Sequence, residues 1–471
     1  MTNIRFIIKM KRIFFIIATL VALLAACNDN DSFTTSRNNI LTFSTDTLKM
    51  DTVFSNVGSS TYTFWVFNRS TDGLRLSSVR LKGGNQTGFR VNVDGSYLDN
   101  TLGSVVTDLE VRKGDSLRVF VELTSPETQQ HDPVQLSDEL VFQLESGVEQ
   151  SVRLEAWAWD AVKITDLNVT ADTLIESTVP LVFYGSGIKV DSGAVLTLRN
   201  TTLYFHDQAG IDVYGSLIAD NALLRGDRLD HMFDYLPYDR VSGQWRGLWF
   251  APSSKTNTMT DTEIRNACHA IVLSDSCGID TIRQRLTMTR CVVHNAKGYG
   301  LISYHSNVAL VNCQFTNTLD DCLAVYGGIC TVDHCTLGQF YPFTANRGAA
   351  LRFSNVAGDT VYPLLKLICR GTIVTGYESD VVFLERADTS AADTLSSGVE
   401  RVFTYQFDDC LLRTPKVEGD TVSFHNIMWE TPEDSIQGKQ HFAVFDEKNL
   451  YYDFHLDSLS TAKGKGCYPE E

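Results

Sequence analysis

The chain has 471 residues, of which 43% are hydrophobic and 21% are charged, and its formal net charge is −17. This length suffices for two or three domains, each with a sizeable hydrophobic core. The strong negative charge argues against nucleic acid as a partner and against electrostatic binding to anionic lipid.

The N-terminus has the pattern of a bacterial lipoprotein signal. Three cations, Lys9, Lys11 and Arg12, precede an apolar run over residues 13–26, which is short for a membrane span and suits a signal peptide. The run ends Leu-Ala-Ala before Cys27, which resembles the lipobox of bacterial lipoproteins. The resemblance implies a signal peptide over residues 1–26, lipidation of Cys27 and a membrane anchor. An ordinary secretory signal with a chance cysteine is the alternative.

A polar tether is predicted over residues 27–39. Its acidic run, Asn-Asp-Asn-Asp over residues 28–31, resembles the surface-export signal of lipoproteins in Bacteroidota. The resemblance implies an outer-membrane lipoprotein exposed on the cell surface. A solvated linker on a lipoprotein that faces inward is the alternative.

Residues 40–160 alternate apolar and polar side chains, with turn-forming pairs such as Asp94-Gly95 between the alternating segments. About six or seven short strands without a helical pattern predict a β-sandwich of immunoglobulin-like type. Because no cysteine lies between Asn28 and Ala267, the disulfide of antibody domains is excluded.

A 22-residue interval dominates the following segment. It separates Cys291, Cys313 and Cys335, and also these pairs: Leu301 and Leu323, Tyr304 and Tyr326, Val308 and Cys330. A fixed period of this size indicates stacked supersecondary units, and the segments are too short for amphipathic helices. Residues 161–417 are therefore predicted to form a right-handed parallel β-helix.

Asparagines recur in the same frame. Asn266, Asn295 and Asn317 each follow an inward apolar residue by two positions. We expect these residues to adopt the left-handed conformation at stacked turns and to pass amide hydrogen bonds from coil to coil.

Residues 418–471 have weaker periodicity and are predicted to cap the open last coil. Their Phe454-His455-Leu456, followed by Ser460-Thr461-Ala462, resembles the tail that often ends β-helix repeats. With the lipobox, the sandwich and the repeats, the chain resembles the right-handed β-helix repeat lipoproteins of Bacteroidota, which have a pectate-lyase-like solenoid. The resemblance implies an all-β fold and a location, and it implies no reaction.

Ten of the eleven cysteines lie between Cys268 and Cys467. Alternation with valine and leucine favours buried thiols that act as small hydrophobes. Disulfides and metal ligation are the alternatives, although no Cys-x-x-Cys motif occurs. We predict neither a metal nor another cofactor.

One motif has the form of a catalytic site. Asp320 and Asp321 precede Cys322 in a pattern that resembles the Asp-Asp-Cys motif of polygalacturonases, which are β-helical. That resemblance implies an inverting hydrolysis in which one carboxyl acts as acid and the other activates water. The other motifs of that family are missing, and repetition alone accounts for Cys322. Catalysis by Asp320 and Asp321 remains the alternative prediction.

The insertion over residues 226–249 is a candidate ligand-binding loop because aromatic rings beside arginine suit sugar stacking and hydrogen bonding. Its candidate residues are Tyr235, Tyr238, Trp245, Arg246 and Trp249. The alternative is a loop whose aromatic residues attach it to the β-helix.

The predicted function is binding or structure: an adhesin-like β-helix, anchored to the membrane by lipid, with a glycan or a protein as ligand. The first alternative is a polysaccharide-degrading hydrolase or lyase that uses the face of the β-helix. The second alternative is a scaffold subunit of an envelope complex.

Overall fold

The structure, a computed structural model, describes residues 32–275, 279–387 and 402–469. The predicted signal peptide, Cys27 and the acidic run over residues 28–31 lie outside these residues. The chain divides into two compact units, one ending at Trp159 and the other starting at Asp160, with Gln129–Asp132 assigned to the second. None of the helices in the described part of the chain has the length and apolarity that a membrane crossing needs.

The first unit contains two five-stranded sheets. The strands of one sheet, in spatial order, are Thr42–Phe43, Tyr62–Phe67, Ser116–Leu123, Phe89–Val93 and Ser96–Tyr97. Those of the other sheet are Thr47–Phe54, Glu149–Trp159, Val134–Leu144, Leu74–Leu81 and Val105–Val111. Two short 3₁₀ helices, Gly84–Gln86 and Asn100–Leu102, lie in the connections. Thr47–Phe54 and Glu149–Trp159 pair in parallel, and every other described pair in these two sheets is antiparallel.

Inward side chains of both sheets form one core. Phe64 and Val121 come from one sheet, Leu76 and Phe142 from the other, and all four are buried. The predicted tether does not stay free over its described part, because Phe33 forms a parallel bridge with Gly73. Alternate residues face this core, which explains the two-residue periodicity of the sequence.

The second unit is a parallel β-helix in which each coil contributes strands to three columns. The first column contains the ends or whole lengths of Val162–Val169, Leu181–Val190, Val195–Phe205, Ser216–Gly226, Glu263–Arg265, Val292–His294, Gln314–Thr316, Thr336–Gln339, Ile373–Gly376, Leu411–Leu412 and Met428–Trp429. The second column adds Gly210–Val213, Gly247–Phe250, Ile271–Leu273, Leu301–Val311, Leu323–Asp333, Leu351–Ser354 and Val382–Glu385. The third column adds Thr173–Ile175, Asn257–Thr260, Leu286–Thr289, Leu364–Arg370, Phe403–Asp408 and Phe424–His425.

The 22-residue interval is the register of neighbouring coils. Leu301 pairs with Leu323, and Tyr304 pairs with Tyr326. The inward side chains form one continuous core, which includes Phe183, Leu310 and Leu412. Parallel pairing continues through Met428–Trp429, so the β-helix extends beyond the predicted limit at residue 417.

The predicted asparagine turns are left-handed. Asn266, Asn295 and Asn317 have φ values of 64°, 61° and 57°. The expected coil-to-coil amide bond occurs at a different turn, where Asn221 Nδ2 donates to Asn200 Oδ1 at 2.9 Å. Asn266 Nδ2 donates instead to the carbonyls of Asp239 and Val241 in the long insertion, so it makes no amide bond to the next coil.

The C-terminal segment, predicted to cap the last coil, packs its hairpin along the side of the β-helix. The hairpin of Phe442–Asp446 and Tyr451–Leu456 packs on Phe340, Ile373 and Leu411, which point outward from the first column. The reason is that this outer face is apolar and gains stability by being covered. The chain then runs back across earlier coils, where Cys467 N donates to Thr336 Oγ1 at 3.1 Å.

A buried polar cluster attaches this segment to the β-helix. Glu430 accepts hydrogen bonds from Arg413 Nη1 and from the Gly438 amide at 2.7 Å. His441 Nε2 lies 3.3 Å from the same carboxylate, and its Nδ1 lies 2.9 Å from Ser460 Oγ. All the side chains in this cluster are buried, so removing one partner leaves the others unsatisfied.

A short hairpin, His231–Phe233 with Leu236–Pro237, and the 3₁₀ helix Tyr238–Arg240 form the long insertion of the second unit. The remaining short elements are the pair Val356–Ala357 with Thr360–Val361 and the 3₁₀ helix Gly438–His441.

Candidate functional site

The outer face of the second column brings together residues from five successive coils. Trp249, Val272, Ile302, Ala324 and Arg352 occupy one register position on neighbouring strands. Successive strand residues point to opposite sides, so these side chains point away from the core formed by their neighbours.

A second row flanks this face. Arg246, His269, Tyr299 and Asp321 each stand two residues before an inward residue of the column, namely Leu248, Ile271, Leu301 and Leu323. Tyr304 and Tyr326 flank the opposite edge of the same strands. We call Trp249, Tyr299, Tyr304 and Tyr326 the aromatic strip.

Two arginine–aspartate pairs lie at the ends of the strip. Arg246 donates two hydrogen bonds to Asp212, at 2.6 and 2.9 Å. Arg352 donates two to Asp321, at 2.7 and 3.2 Å. Each pair fixes a planar guanidinium against the outer face, where its remaining N–H groups are oriented by the ion pair.

The tyrosines of the strip are half-buried and packed. The rings of Tyr304 and Tyr326 stack with centroids 5.2 Å apart, and Tyr299 stacks on His269 at 5.6 Å. Burial raises the pKa of Tyr326 to about 12. Burial, together with the Asp321 carboxylate, also raises the pKa of Tyr299. These hydroxyls therefore stay protonated at neutral pH and can donate hydrogen bonds.

Asp320 and Asp321 lie at this face in different environments. Asp321 is 3% exposed, and it accepts a hydrogen bond from the Ala349 amide as well as from Arg352. A carboxylate held in this way is a structural anion. Asp320 is partly exposed. Burial raises its pKa, the charge of His269 acts to lower it, and the charge of Asp321 acts to raise it further. The two carboxyls do not form the free acid and base of an inverting hydrolase, because Asp321 already has its partners.

Close backbone packing keeps Asp321 in place. A Cβ atom on Gly348 would lie 2.6 Å from the Asp321 amide nitrogen and 2.5 Å from the Asp320 carbonyl carbon. Only glycine allows the next coil to approach this closely. The Asp-Asp motif is therefore part of the packing between coils.

The five candidate residues of the predicted ligand loop do not lie together in the structure. Trp245 is wrong as a ligand contact, because it is fully buried, stacks on Phe205 at 4.5 Å and donates from Nε1 to the Arg265 carbonyl. Trp245 immediately precedes Arg246 of the flanking row, and because successive residues point to opposite sides its indole points into the core. Arg246 and Trp249 belong to the outer face described above.

The other two loop residues lie apart from the aromatic strip. Tyr238 is covered by Arg228, whose Cζ lies 4.1 Å from the ring centroid. Tyr235 is 70% exposed and stacks on Phe233 at 5.7 Å. Tyr235 thus remains a second, separate candidate contact at the tip of the hairpin.

The nine described cysteines are free thiols, and eight of them are buried. The thiols of Cys291, Cys313 and Cys335 each donate to the carbonyl two residues earlier, at 3.3–3.4 Å. Burial raises the pKa of Cys322 to about 12 and that of Cys330 to about 12. Within residues 32–275, 279–387 and 402–469, no three His, Cys, Asp or Glu side chains are grouped as metal ligands.

Sequence reasoning missed His269, Tyr299 and Arg352. Their signal was present for two of them, since His269 and Tyr299 occupy the position that Arg246 and Asp321 occupy in other coils. Aligning every coil on its inward leucine or isoleucine would have placed these residues on one face. Arg352 required the register across the insertion at residues 339–347, which the period does not reveal.

Comparisons with known proteins support the solenoid. The family described as a right-handed β-helix region matches residues 158–337. The second unit over these residues is thus a right-handed β-helix. No curated protein matches the chain.

Solved structures add no further argument. The chain is similar to a family 123 glycoside hydrolase from Clostridium perfringens, with 5% identity, 26% of each chain covered and a TM-score of 0.18. It is also similar to an ASH / PapD-like domain of human CEP192, with 10% identity, 27% of this chain and 89% of that chain covered and a TM-score of 0.18. The chain spans only 26% of the length of that hydrolase. Scores this low carry no inference about activity.

Proposed function

We propose that this protein is a lipid-anchored protein of the cell envelope whose β-helix binds a glycan along the aromatic strip. The lipobox at Cys27 supports the anchor, and the acidic run behind it supports display on the surface of the outer membrane. This location and the tail motif support membership of the right-handed β-helix repeat lipoproteins of Bacteroidota. The single observation that carries glycan binding is the strip with an arginine–aspartate pair at each end.

The chemistry of the strip suits a sugar chain. Tyrosine and tryptophan rings provide apolar surface for the C–H faces of sugars, and the hydroxyls and guanidiniums provide donors for sugar oxygens. At ~4.8 Å per coil, the five coils from Trp249 to Arg352 extend over about 19 Å. A site of this length fits an oligosaccharide better than a single sugar.

We infer that the first unit is an immunoglobulin-like sandwich. Its two five-stranded sheets around one core support this, as does the parallel pair formed by an early strand, Thr47–Phe54, and the last strand, Glu149–Trp159. A sandwich of this kind serves as a spacer or as an additional binding domain.

Hydrolysis of a polysaccharide is the weaker candidate function. Asp320 has the raised pKa that a general acid needs, but its neighbour Asp321 is held by Arg352 and by the Ala349 amide. An inverting hydrolase needs a second free carboxylate about 6.5–9.5 Å away. Incubation of the protein with the glycans that it binds, followed by analysis of reducing ends, tests this alternative.

Glycan binding is tested with a glycan array, followed by affinity measurements on each bound glycan. We expect Tyr326→Ala and Tyr299→Ala to weaken binding about fivefold or more each, because each removes a ring worth roughly 1 kcal/mol or more. Tyr97→Ala, an exposed tyrosine of the first unit, is the matched control and should leave the affinity unchanged. If Tyr235→Ala abolishes binding while the strip variants retain it, the ligand lies on the hairpin and the proposal is wrong.

The anchor and the location need separate measurements. Mass spectrometry of the N-terminal peptide should show diacylglycerol on Cys27, and Cys27→Ala should release the protein from the membrane fraction. Digestion of whole cells by an added protease should remove the protein if it is displayed on the surface. An intact protein after such digestion would place it on the inner side of the membrane.

A further inference from the structure

A small pocket lies where the chain turns from the second column into the third. It encloses about 250 Å³, and its polar lining includes Lys255, Asp280, Arg283, Arg285, His305 and Asn307. The pocket is next to the aromatic strip without being part of it, because the Tyr362 ring contacts both Tyr304 and His305 at centroid distances of 6.0 Å.

Arg285 is a buried cation in the wall of this pocket. The residue is 7% exposed. Its guanidinium donates to the carbonyls of Ser274, Phe250 and Ala251 and to Ser306 Oγ. All these acceptors are neutral. The Nε atom is buried and has no hydrogen-bond partner.

A buried cation among neutral acceptors is costly unless an anion accompanies it. Burial lowers the pKa of Arg285 to about 10, and the exposed Asp275 opposes this shift only in part. Four fixed acceptors keep the guanidinium in place whatever its electrostatic cost. The wall therefore presents a positive charge that no carboxylate of the described chain neutralises through a direct contact.

Two further cations line the same pocket. Neither Lys255 Nζ nor the Arg283 guanidinium has a hydrogen bond or an ion pair with a residue in the described part of the chain. The Asp280 carboxylate accepts instead from the backbone amides of Ile282 and Arg283, both at 2.9 Å. Three cations thus face one carboxylate in a chain whose formal charge is −17.

We propose that this pocket binds a small oxyanion between Lys255, Arg283 and Arg285: the carboxylate of an acidic sugar or a free inorganic anion. Its volume is below the range of about 300–1,000 Å³ that drug-sized ligands occupy, which suits one charged group or one sugar ring. The Lys255 ammonium and the Arg283 guanidinium can donate charge-assisted hydrogen bonds to such an anion, and Arg285, whose Nη atoms already donate to the protein, contributes its charge. The site is distinct from the aromatic strip, and its occupancy does not depend on glycan binding there.

The test is calorimetric titration of the full chain with four probes: galacturonate, galactose, inorganic sulfate and inorganic phosphate. We expect saturable binding of at least one anion and none of galactose. Binding of galacturonate alone identifies an acidic sugar as the source of the charge, whereas binding of sulfate or phosphate alone identifies a free anion. Absence of saturable binding by all three anions would overturn the proposal.

A pair of double variants separates the pocket from general charge effects. Lys255→Gln with Arg283→Gln should weaken anion binding at least about tenfold, because two charge-assisted contacts are lost. Arg199→Gln with Lys366→Gln removes the same charge from exposed positions outside the pocket and should preserve the affinity. Equal losses in the two double variants would mean that the anion is attracted by surface charge and has no site. Circular dichroism of each variant verifies that the fold is retained.

Discussion

The ion pair between Asp321 and Arg352 separates a structural from a catalytic role for the Asp-Asp motif. Asp321→Asn keeps the shape of the side chain and removes its charge, so Arg352 loses its anionic partner. Breaking a fully buried pair costs about 3–5 kcal/mol, and an exposed pair contributes about 0–1 kcal/mol. The Asp321 side chain is 4% exposed and that of Arg352 is 28% exposed. The pair lies between these limits, and we expect Asp321→Asn to lower the free energy of unfolding by about 2 kcal/mol.

Urea unfolding of the full chain, followed by tryptophan fluorescence, measures this loss. The two units require separate transitions in the fit, because one two-state curve does not describe two independent units. Tryptophan fluorescence reports both units, since Trp65, Trp157 and Trp159 lie in the first unit and Trp245, Trp249 and Trp429 in the second. Asp320→Asn is the control, and we expect it to change stability by less than about 0.5 kcal/mol, since Asp320 has no ion-pair partner among the described residues.

A double-mutant cycle completes this test. Arg352→Gln, alone and combined with Asp321→Asn, should reveal a coupling energy of about 1–3 kcal/mol between the two side chains. If Asp321→Asn costs no more than Asp320→Asn, the carboxylate does not stabilise the junction between coils. The motif would then need a different explanation, and catalysis would become the stronger one.

Three further predictions concern buried groups. Because burial raises the pKa of Cys322 to about 12, this thiol should resist alkylation at pH 8 in the folded protein and react on unfolding, as measured by mass spectrometry; rapid labelling in the native state would contradict its burial. Burial raises the pKa of Glu430, but contacts from His441, the Gly438 amide and Arg413 outweigh burial and lower the pKa overall. A lowered pKa in the folded state means stability that is present above the unfolded value near 4.5 and lost as pH falls through the folded value. The hydrogen-exchange protection factors of residues 442–456, which are corrected for the intrinsic pH dependence of exchange, should therefore fall below about pH 4.5, and Glu430→Gln should remove that fall. Trp245→Ala should destabilise the β-helix by about 3–5 kcal/mol in denaturant unfolding, through the cavity left beside Phe205; a loss below about 1 kcal/mol would contradict its core position.

The solenoid was predictable because its signal repeats. Leu301, Leu323 and the cysteine series obey one interval, and the structure uses that interval as the register between coils. The left-handed asparagines were predictable for a related reason, since a stacked turn places the same backbone requirement on every coil. At these positions the local residue preference and the repeat interval predict the same conformation, so the prediction required no knowledge of distant contacts.

The position of the C-terminal segment was not predictable. Ile373 and Val374 are adjacent and both apolar. Val374 points into the core of the β-helix, whereas Ile373 points outward and packs against the C-terminal hairpin. A run of apolar residues indicates that both faces of the strand are buried, but it does not tell which segment of the chain covers the outer face. The hairpin over residues 442–456 covers that outer face, and its partners Phe340, Ile373 and Leu411 lie 31 or more residues earlier in the chain.

The sequence by itself determined the all-β composition, the repeat of the second unit and the thiol series, because each depends on spacing along the chain. Tertiary structure decided which chemistry-bearing residues meet. It buried Trp245, paired Asp321 with Arg352 and aligned Trp249 with the tyrosines of later coils. It also left Arg285 among neutral acceptors. The physical reason is that burial and electrostatic partners arise between coils, across insertions of unequal length, and a one-dimensional period does not record either.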